Sequence, residues 1–342
     1  FAGRTASAAM NMRTHVRTLA RRLSTGASPK VQLTAAAAKA AAPRLPQRRL
    51  GANGPLVSAV GLGCMPLSLE GRPDAEEAVG VIHAALDAGV SLFDTADVYC
   101  TSHDDIGHNE RLLRSALDSY RGPADTSCVV IATKGIMARP DGAWEAGSDP
   151  DALFAACDRS LEALGVSTLD LYYLHTPSGF AGDDLKFARA CRNLQLLQQE
   201  GKVRHVGLSN VGYELLVASQ GAIEVCAVQN RCNVFDPSAF KDGVVGQCKT
   251  SGVAFVPHSP VGGAVPPGPP PGVHAAARPE LLPICDRLGC SPQEAMLSWL
   301  LQIDDCIIPV VGATRVSTVH SIASCARFEH ALRDEEIVGF LK

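Results

Sequence analysis

The feature that most restricts this chain is an eightfold alternation of short apolar runs and helical patterns. The runs are VSAVGLG (57–63), VSLFDT (90–95), CVVIATK (128–134), LDLYYLH (169–175), KVRHVGLS (202–209), VCAVQN (225–230), VAFVPH (253–258) and CIIPVV (306–311). Helical patterns follow them near 76–88, 109–119, 151–164, 184–200, 212–220, 238–251, 279–301 and 315–326. The runs are apolar throughout rather than alternating, as strands covered on both faces must be. Eight strands, each followed by a helix, make an α/β chain of the (β/α)8 TIM-barrel count. Asn53-Gly54, ahead of the first run, predicts a short N-terminal hairpin. A doubly wound dinucleotide fold would carry GxGxxG after its first strand, and GLGCMP (61–66) lacks the third glycine.

Punctuation supports the helices. Asp149-Pro150 precedes the pattern at 151–164, and Gly165 follows it. Gly89 ends the first helix in the same way, and Ser291-Pro292 supplies a cap and a first-turn proline to the segment after it. The stretch 261–279, rich in Gly and Pro, excludes regular helix or sheet and is read as either a flap or a linker.

Charge is unevenly distributed. The first acid is Glu70, whereas residues 1–49 hold ten of the 31 Lys and Arg; the remainder, 21 basic against 35 acidic residues, carries a formal charge of −14. An Arg-rich, acid-free, Ser/Ala-rich start is the composition of an organellar transit peptide, plastid or mitochondrial, assigned to 1–46 with the barrel domain over 47–342. An acidic body argues against nucleic acid as a partner. No apolar run approaches the roughly 18 residues of a membrane span. The twelve cysteines form no CxxC and no zinc spacing, and read as core thiols. The chain begins on Phe1 rather than Met, as a fragment would.

In a parallel barrel the carboxyl ends of the strands open onto one face, where catalytic groups gather. Asp94, Tyr99, Lys134 and His175 each fall at or just after such an end. A carboxylate, a phenol, an ammonium and an imidazole converging there would make a proton-transfer site. His103 and His108 are too polar in setting and too poorly spaced for a metal. Glu110, at a helix start, is read as a partner of the helix dipole.

With those positions in place, FDTADVY (93–99) resembles the signature of the aldo-keto reductase family. The motifs GLG (61–63), GHNE (107–110), ATKG (132–135), LDLYYLHTP (169–177), GKVRHVGLSN (201–210), VQN (228–230), HSPVGG (258–263) and GAT (312–314) follow in the family's order, from about Arg48 to Lys342. The match is nearest to the bacterial- and plant-type branch. The resemblance implies reduction of a small carbonyl substrate with NADPH, NADH being the alternative, in a monomer or small homo-oligomer. It implies Tyr99 as general acid, Lys134 lowering its pKa, Asp94 holding Lys134, and His175 orienting the carbonyl. Cofactor contacts carried over by position are Gly63, Cys64, Ser209, Asn210, Gln229, His258, Ser259, Pro260, Val261, Gly262, Gly312 and Arg315, the last for a 2′-phosphate.

Three departures from the family stand out. His258 occupies the place of a stacking Tyr or Trp, with less ring area. Thr318 and Ile322 replace the Gln and Asn that meet adenine, which leaves the choice between NADPH and NADH open. A short end after the last helix predicts an open site and broad specificity. Two other functions stay open: a non-catalytic NADPH-binding regulatory subunit of the same fold, and a Schiff-base lyase using Lys134. Trp144 is either a pocket wall or an exposed loop aromatic.

Overall fold

The computed structural model describes residues 45–147, 149–175, 182–262 and 278–341. All of the transit-peptide assignment but Leu45 and Pro46, and most of the Gly/Pro-rich stretch, lie outside them; Leu45 is buried and the Pro46 carbonyl accepts from the Ala59 amide, so these two belong to the folded body.

An antiparallel hairpin, β1 (Gln47–Arg49) and β2 (Leu56–Ser58), precedes the barrel. The parallel staves are β3 (Gly61–Gly63), β4 (Leu92–Asp94), β5 (Val130–Gly135), β6 (Leu169–His175), β7 (Val203–Ser209), β8 (Val225–Gln229), β9 (Ala254–Phe255) and β10 (Val310–Gly312). They pair in the order β10-β3-β4-β5-β6-β7-β8-β9. The ring closes through a parallel bridge between Phe255 and Ile307, where the Phe255 amide donates to the Cys306 carbonyl and the Ile308 amide to Phe255. The eightfold reading therefore holds, with differences at particular places. The run at 57–63 divides into β2 and β3 because the chain bends at Ala59-Val60 from hairpin to barrel. Asn53-Gly54 is not a two-residue turn: the connection spans 50–55, the Leu50 amide donates to the Pro55 carbonyl, and Gly51 takes the left-handed conformation.

Two expected helices are broken where a glycine enters that same conformation. The pattern at 238–251 divides at Gly243 into Ser238–Lys241 and Val244–Ser251, and that at 279–301 divides at Gly289 into Leu281–Leu288 and Pro292–Ile303. The second of these opens on a complete capping box between Ser291 and Glu294. A further helix, Asp334–Phe340, had no expectation in the sequence.

Barrel and helices enclose two cores. One lies between staves and helices; the other fills the barrel interior with Leu92, Val130, Leu171, Tyr173, Val256, Ile308 and their neighbours. Gly207 is required there, because a Cβ on β7 would sit 2.4 Å from the Tyr173 ring. Leu50 and Val57 of the hairpin, both fully buried, close the bottom of this interior. Eight of the twelve free cysteines sit in these cores, but Cys128 is exposed beside its strand rather than within it.

Arg48 fastens the plug. Its buried guanidinium donates to the carbonyls of Leu301 (2.5 Å), Ile307 (2.7 Å) and Asp304 (2.9 Å), and to Glu329 Oε1 (2.9 Å). A cation at the end of helix Pro292–Ile303 also suits the dipole there. Counting Arg48 with the leader's charge missed this role. Arg48→Met leaves these acceptors buried and unpaired, and is expected to cost about 3 kcal/mol. A chemical-denaturation midpoint close to that of the unaltered protein would contradict this.

Candidate active site

β4 ends on Asp94, β5 carries Lys134, and β6 ends on His175, so three adjacent staves deliver the three groups to one rim. Tyr99 is brought over them by the loop after β4. That loop is held from beneath: Thr95 Oγ1 donates to Asn109 Oδ1 (2.6 Å), while Asn109 Nδ2 donates to the Cys64 carbonyl (2.8 Å) and Ser68 Oγ (2.6 Å). Glu110 beside it is fully buried and accepts from Thr133 Oγ1 at 2.6 Å. Glu110 is thus a buried strut rather than a surface partner of the helix dipole. His108, expected in solvent, is half-buried with Nδ1 2.8 Å from Ser68 Oγ.

Lys134 is completely buried. Its Nζ donates to Asp94 Oδ1 (2.6 Å), the Thr95 carbonyl (2.8 Å) and Tyr99 Oη (3.0 Å). The other Asp94 oxygen accepts from Gln229 Nε2 at 2.7 Å, so this carboxylate is anchored on both sides. Burial opposes the charge on Lys134, but Asp94 and Tyr99 more than offset it, and its pKa lies above that of ordinary lysine. An ammonium so held is a poor Schiff-base nucleophile, which removes the lyase reading.

Tyr99 differs from expectation in sign. Burial raises its pKa, and the lowering effect of Lys134 does not overcome this, so the phenol stays protonated at neutral pH. Burial, then Lys134 and His258, depress His175 well below the usual histidine range, leaving a neutral imidazole. Its ring stands edge-on to Tyr99 with centroids 6.1 Å apart, and its Nδ1 has no partner among the described residues. A neutral phenol backed by a cation, beside a neutral imidazole, can protonate an oxygen that gains negative charge.

These groups floor a cavity of about 350 Å³. Asp94, Tyr99, His175, Gly63, Ser209, Asn210, Gln229, His258, Ser259, Pro260, Val261 and Gly312 line it; Lys134 lies beneath. Cys64, Gly262 and Arg315 are not among the lining residues. The Cys64 side chain is buried in the outer core, where burial drives its thiol pKa up, and only its backbone amide reaches the site, donating to the Asp94 carbonyl at 2.8 Å. Arg315 is exposed at the head of helix Val316–Ser324. Ile322 is buried, so it offers nothing to a ligand there. Asn210 and Ser259 both have positive φ, at 57° and 52°, and flank His258. The His258 ring is tied through Nε2 to Asn210 Oδ1 (3.1 Å) and through Nδ1 to Ser259 Oγ (3.3 Å), and burial lowers its pKa to about 4. Sequence reasoning missed Met65, Pro66, Met137 and Val310 in the lining and left Trp144 open; Trp144 does line the cavity.

The family model for the aldo/keto reductase family matches residues 59–338. The chain belongs to that family. Solved aldo-keto reductase folds superpose on it at low identity. A glycerol dehydrogenase from Gluconobacter oxydans is 24% identical with a TM-score of 0.70, over 86% of this chain and 94% of its own. An aldo-keto reductase from Bacillus halodurans in its holo form is 22% identical, TM-score 0.67, over 87% and 97%. One from Klebsiella pneumoniae, in complex with NADP and acetate, is 19% identical, TM-score 0.66, over 86% and 93%. As an aldo/keto reductase the chain keeps its four-residue cluster on the barrel rim at which the staves end.

The buried pair yields a stability test. Lys134→Met strands the Asp94 charge and is expected to cost about 3–5 kcal/mol. Adding Asp94→Asn to it should return part of that loss, and strictly additive losses in a double-mutant cycle would contradict the coupling.

Proposed function

We propose that this protein reduces an aldehyde or ketone to the alcohol with NADPH, Tyr99 acting as general acid. The observation that carries the reading is Lys134 Nζ at 3.0 Å from Tyr99 Oη and 2.6 Å from Asp94, at the floor of a cavity shared with a neutral His175. Tyr99 gives its proton to the substrate oxygen, and Lys134 stabilises the phenolate left behind. Asp94 keeps Lys134 charged and aimed. His175 orients the carbonyl toward Tyr99.

The residues present fit a nicotinamide cofactor. Ser209, Asn210, Gln229 and His258 supply amide, hydroxyl and imidazole groups at one wall. One N–H of the Gln229 amide is committed to Asp94. Gly63 and Gly312 bare the backbone on the other side, and Arg315 heads a helix whose N-terminus suits a phosphate. When bound, NADPH would supply the hydride. The name of the Klebsiella neighbour, an NADP complex, agrees with this choice. We further propose that residues 1–46 are an organellar targeting leader, on their eight-to-none excess of base over acid.

Absorbance loss at the reduced-nicotinamide band, with 4-nitrobenzaldehyde and either cofactor, tests the reading. Cofactor binding without turnover would favour a regulatory subunit instead. Tyr99→Phe should lower the reduction rate by about 10²–10⁴ with cofactor binding near normal; a variant keeping most of the rate would refute the acid assignment.

The pH dependence follows from the direction of the Tyr99 shift. The donor must be protonated, and its pKa is raised, so reduction should be flat through neutrality and fall only in strong alkali. Alcohol oxidation, which needs the phenolate, should rise with pH. A kcat/KM profile for reduction that already falls below pH about 8 would contradict a raised phenol pKa.

A further inference from the structure

Besides its polar groups, the cavity is bounded by Met65, Pro66, Met137 and Trp144. Trp144 meets Tyr99 edge-on, with ring centroids 6.2 Å apart and planes at 80°. Its loop is short and paired: the amides and carbonyls of Ala138 and Glu145 bond reciprocally at 3.0 and 3.1 Å, which fixes the backbone next to the indole. Behind the indole lies Arg139, 2% exposed, with its guanidinium carbon 4.1 Å from the ring centroid. A guanidinium over an indole face is attracted by the ring's quadrupole, more so when water is excluded. Arg139 is itself held, donating from Nε to the Cys100 carbonyl (3.1 Å) and from Nη2 to both Glu70 oxygens (3.3 Å each). Since Cys100 follows Tyr99, one arginine joins the loop bearing the phenol to the loop bearing the indole.

The same arrangement keeps positive charge off the substrate. Arg139 packs on Trp144 and is not itself among the lining residues, although its Nη1 is buried without a partner among the described residues. Lys134 lies under Tyr99 with its protons committed, and Arg231, whose field reaches His258, is paired with Asp236 at 3.4 Å. A carboxylate or phosphate on the substrate would meet apolar side chains and a neutral imidazole, and would lose its hydration without a partner.

We propose that the substrates are uncharged carbonyl compounds with a flat aromatic body that packs on Trp144, and that Arg139 is a positioning residue that holds this indole as the specificity wall. The proposal rests on the reductase reading above and adds the substrate class to it. A flat ring gains most from such a wall because it matches the indole in area and quadrupole. An aliphatic aldehyde gains less, and an anionic one is rejected.

The purified full chain is assayed with 4-nitrobenzaldehyde, 4-carboxybenzaldehyde and butanal. kcat/KM should be at least about tenfold higher for the nitro than for the carboxy compound. Trp144→Ala should lower the nitrobenzaldehyde-to-butanal ratio of kcat/KM about tenfold, chiefly through KM, and Trp144→Phe should restore most of it. Arg139→Met should lower the ratio in the same direction, with partial rescue by Arg139→Lys; a merely structural role would reduce kcat for all substrates alike.

A second readout needs no turnover. The chain has two tryptophans, and Trp299 is buried between Phe240 and Phe340, so quenching by 4-nitrobenzyl alcohol should report Trp144 and vanish in Trp144→Phe. Failure to reduce any of the three carbonyls would end the reductase reading. Reduction with unchanged ratios in Trp144→Ala, or preference for 4-carboxybenzaldehyde through Arg139 turning to the anion, would overturn the substrate-class proposal alone.

Discussion

A lysine with no exposed surface is tolerable only because three oxygens surround its Nζ, and the site is organised around that requirement. Asp94 neutralises the charge, the Thr95 carbonyl accepts a second hydrogen bond from Nζ, and the Tyr99 oxygen accepts the third. Two of these come from the end of one stave and its next residue, the third from the loop beyond. The arrangement that makes the buried cation acceptable is the one that places a phenol within 3.0 Å of it. Stability and the proposed proton transfer therefore draw on the same contacts. Asn109 and Glu110 extend the support outward, because a loop carrying Tyr99 must itself be fixed if the oxygen is to stay in line.

Electrostatics here runs counter to the simplest view of an activated phenol. Desolvation dominates at this depth: it raises the phenol, depresses both imidazoles at the cavity, and leaves the ammonium charged only because a carboxylate is adjacent. The resting state is a protonated donor on a fixed cation, with neutral acceptors around it. Under the proposed reading such a site suits a substrate oxygen that becomes negative, since the lysine would stabilise the phenolate only once the proton has left.

Much of this was legible in the sequence because the fold repeats. Eight apolar runs with helical patterns between them define the staves, and Asp94, Lys134 and His175 fall at stave ends by position alone. The failures have physical causes. Gly243 and Gly289 break helices whose hydrophobic periodicity continues past them, so periodicity could not reveal the interruption. Glu110 and Arg48 look like surface charges in one dimension; only tertiary structure supplies Thr133 to the first and three carbonyls to the second. The sign of the Tyr99 shift depends on burial depth, which no motif encodes. Met65, Pro66, Met137 and Val310 carry no chemical signal, and the place of Trp144 in the wall depends on tertiary contacts with Tyr99 and Arg139.

The staves are of unequal length, and this grades the rigidity of the rim. β6 and β7 pair over most of seven residues each, whereas β9 has two and closes on its neighbour through a bridge at Phe255 and Ile307. Fewer shared amide bonds mean a lower free energy for local opening. The half of the rim that bears Lys134 and His175 rides on the well-paired side, while Ser259 to Gly262 follow the thin closure. Lysine and imidazole are thus anchored to the most extensively paired staves, and the wall from Ser259 to Gly262 to the least paired one.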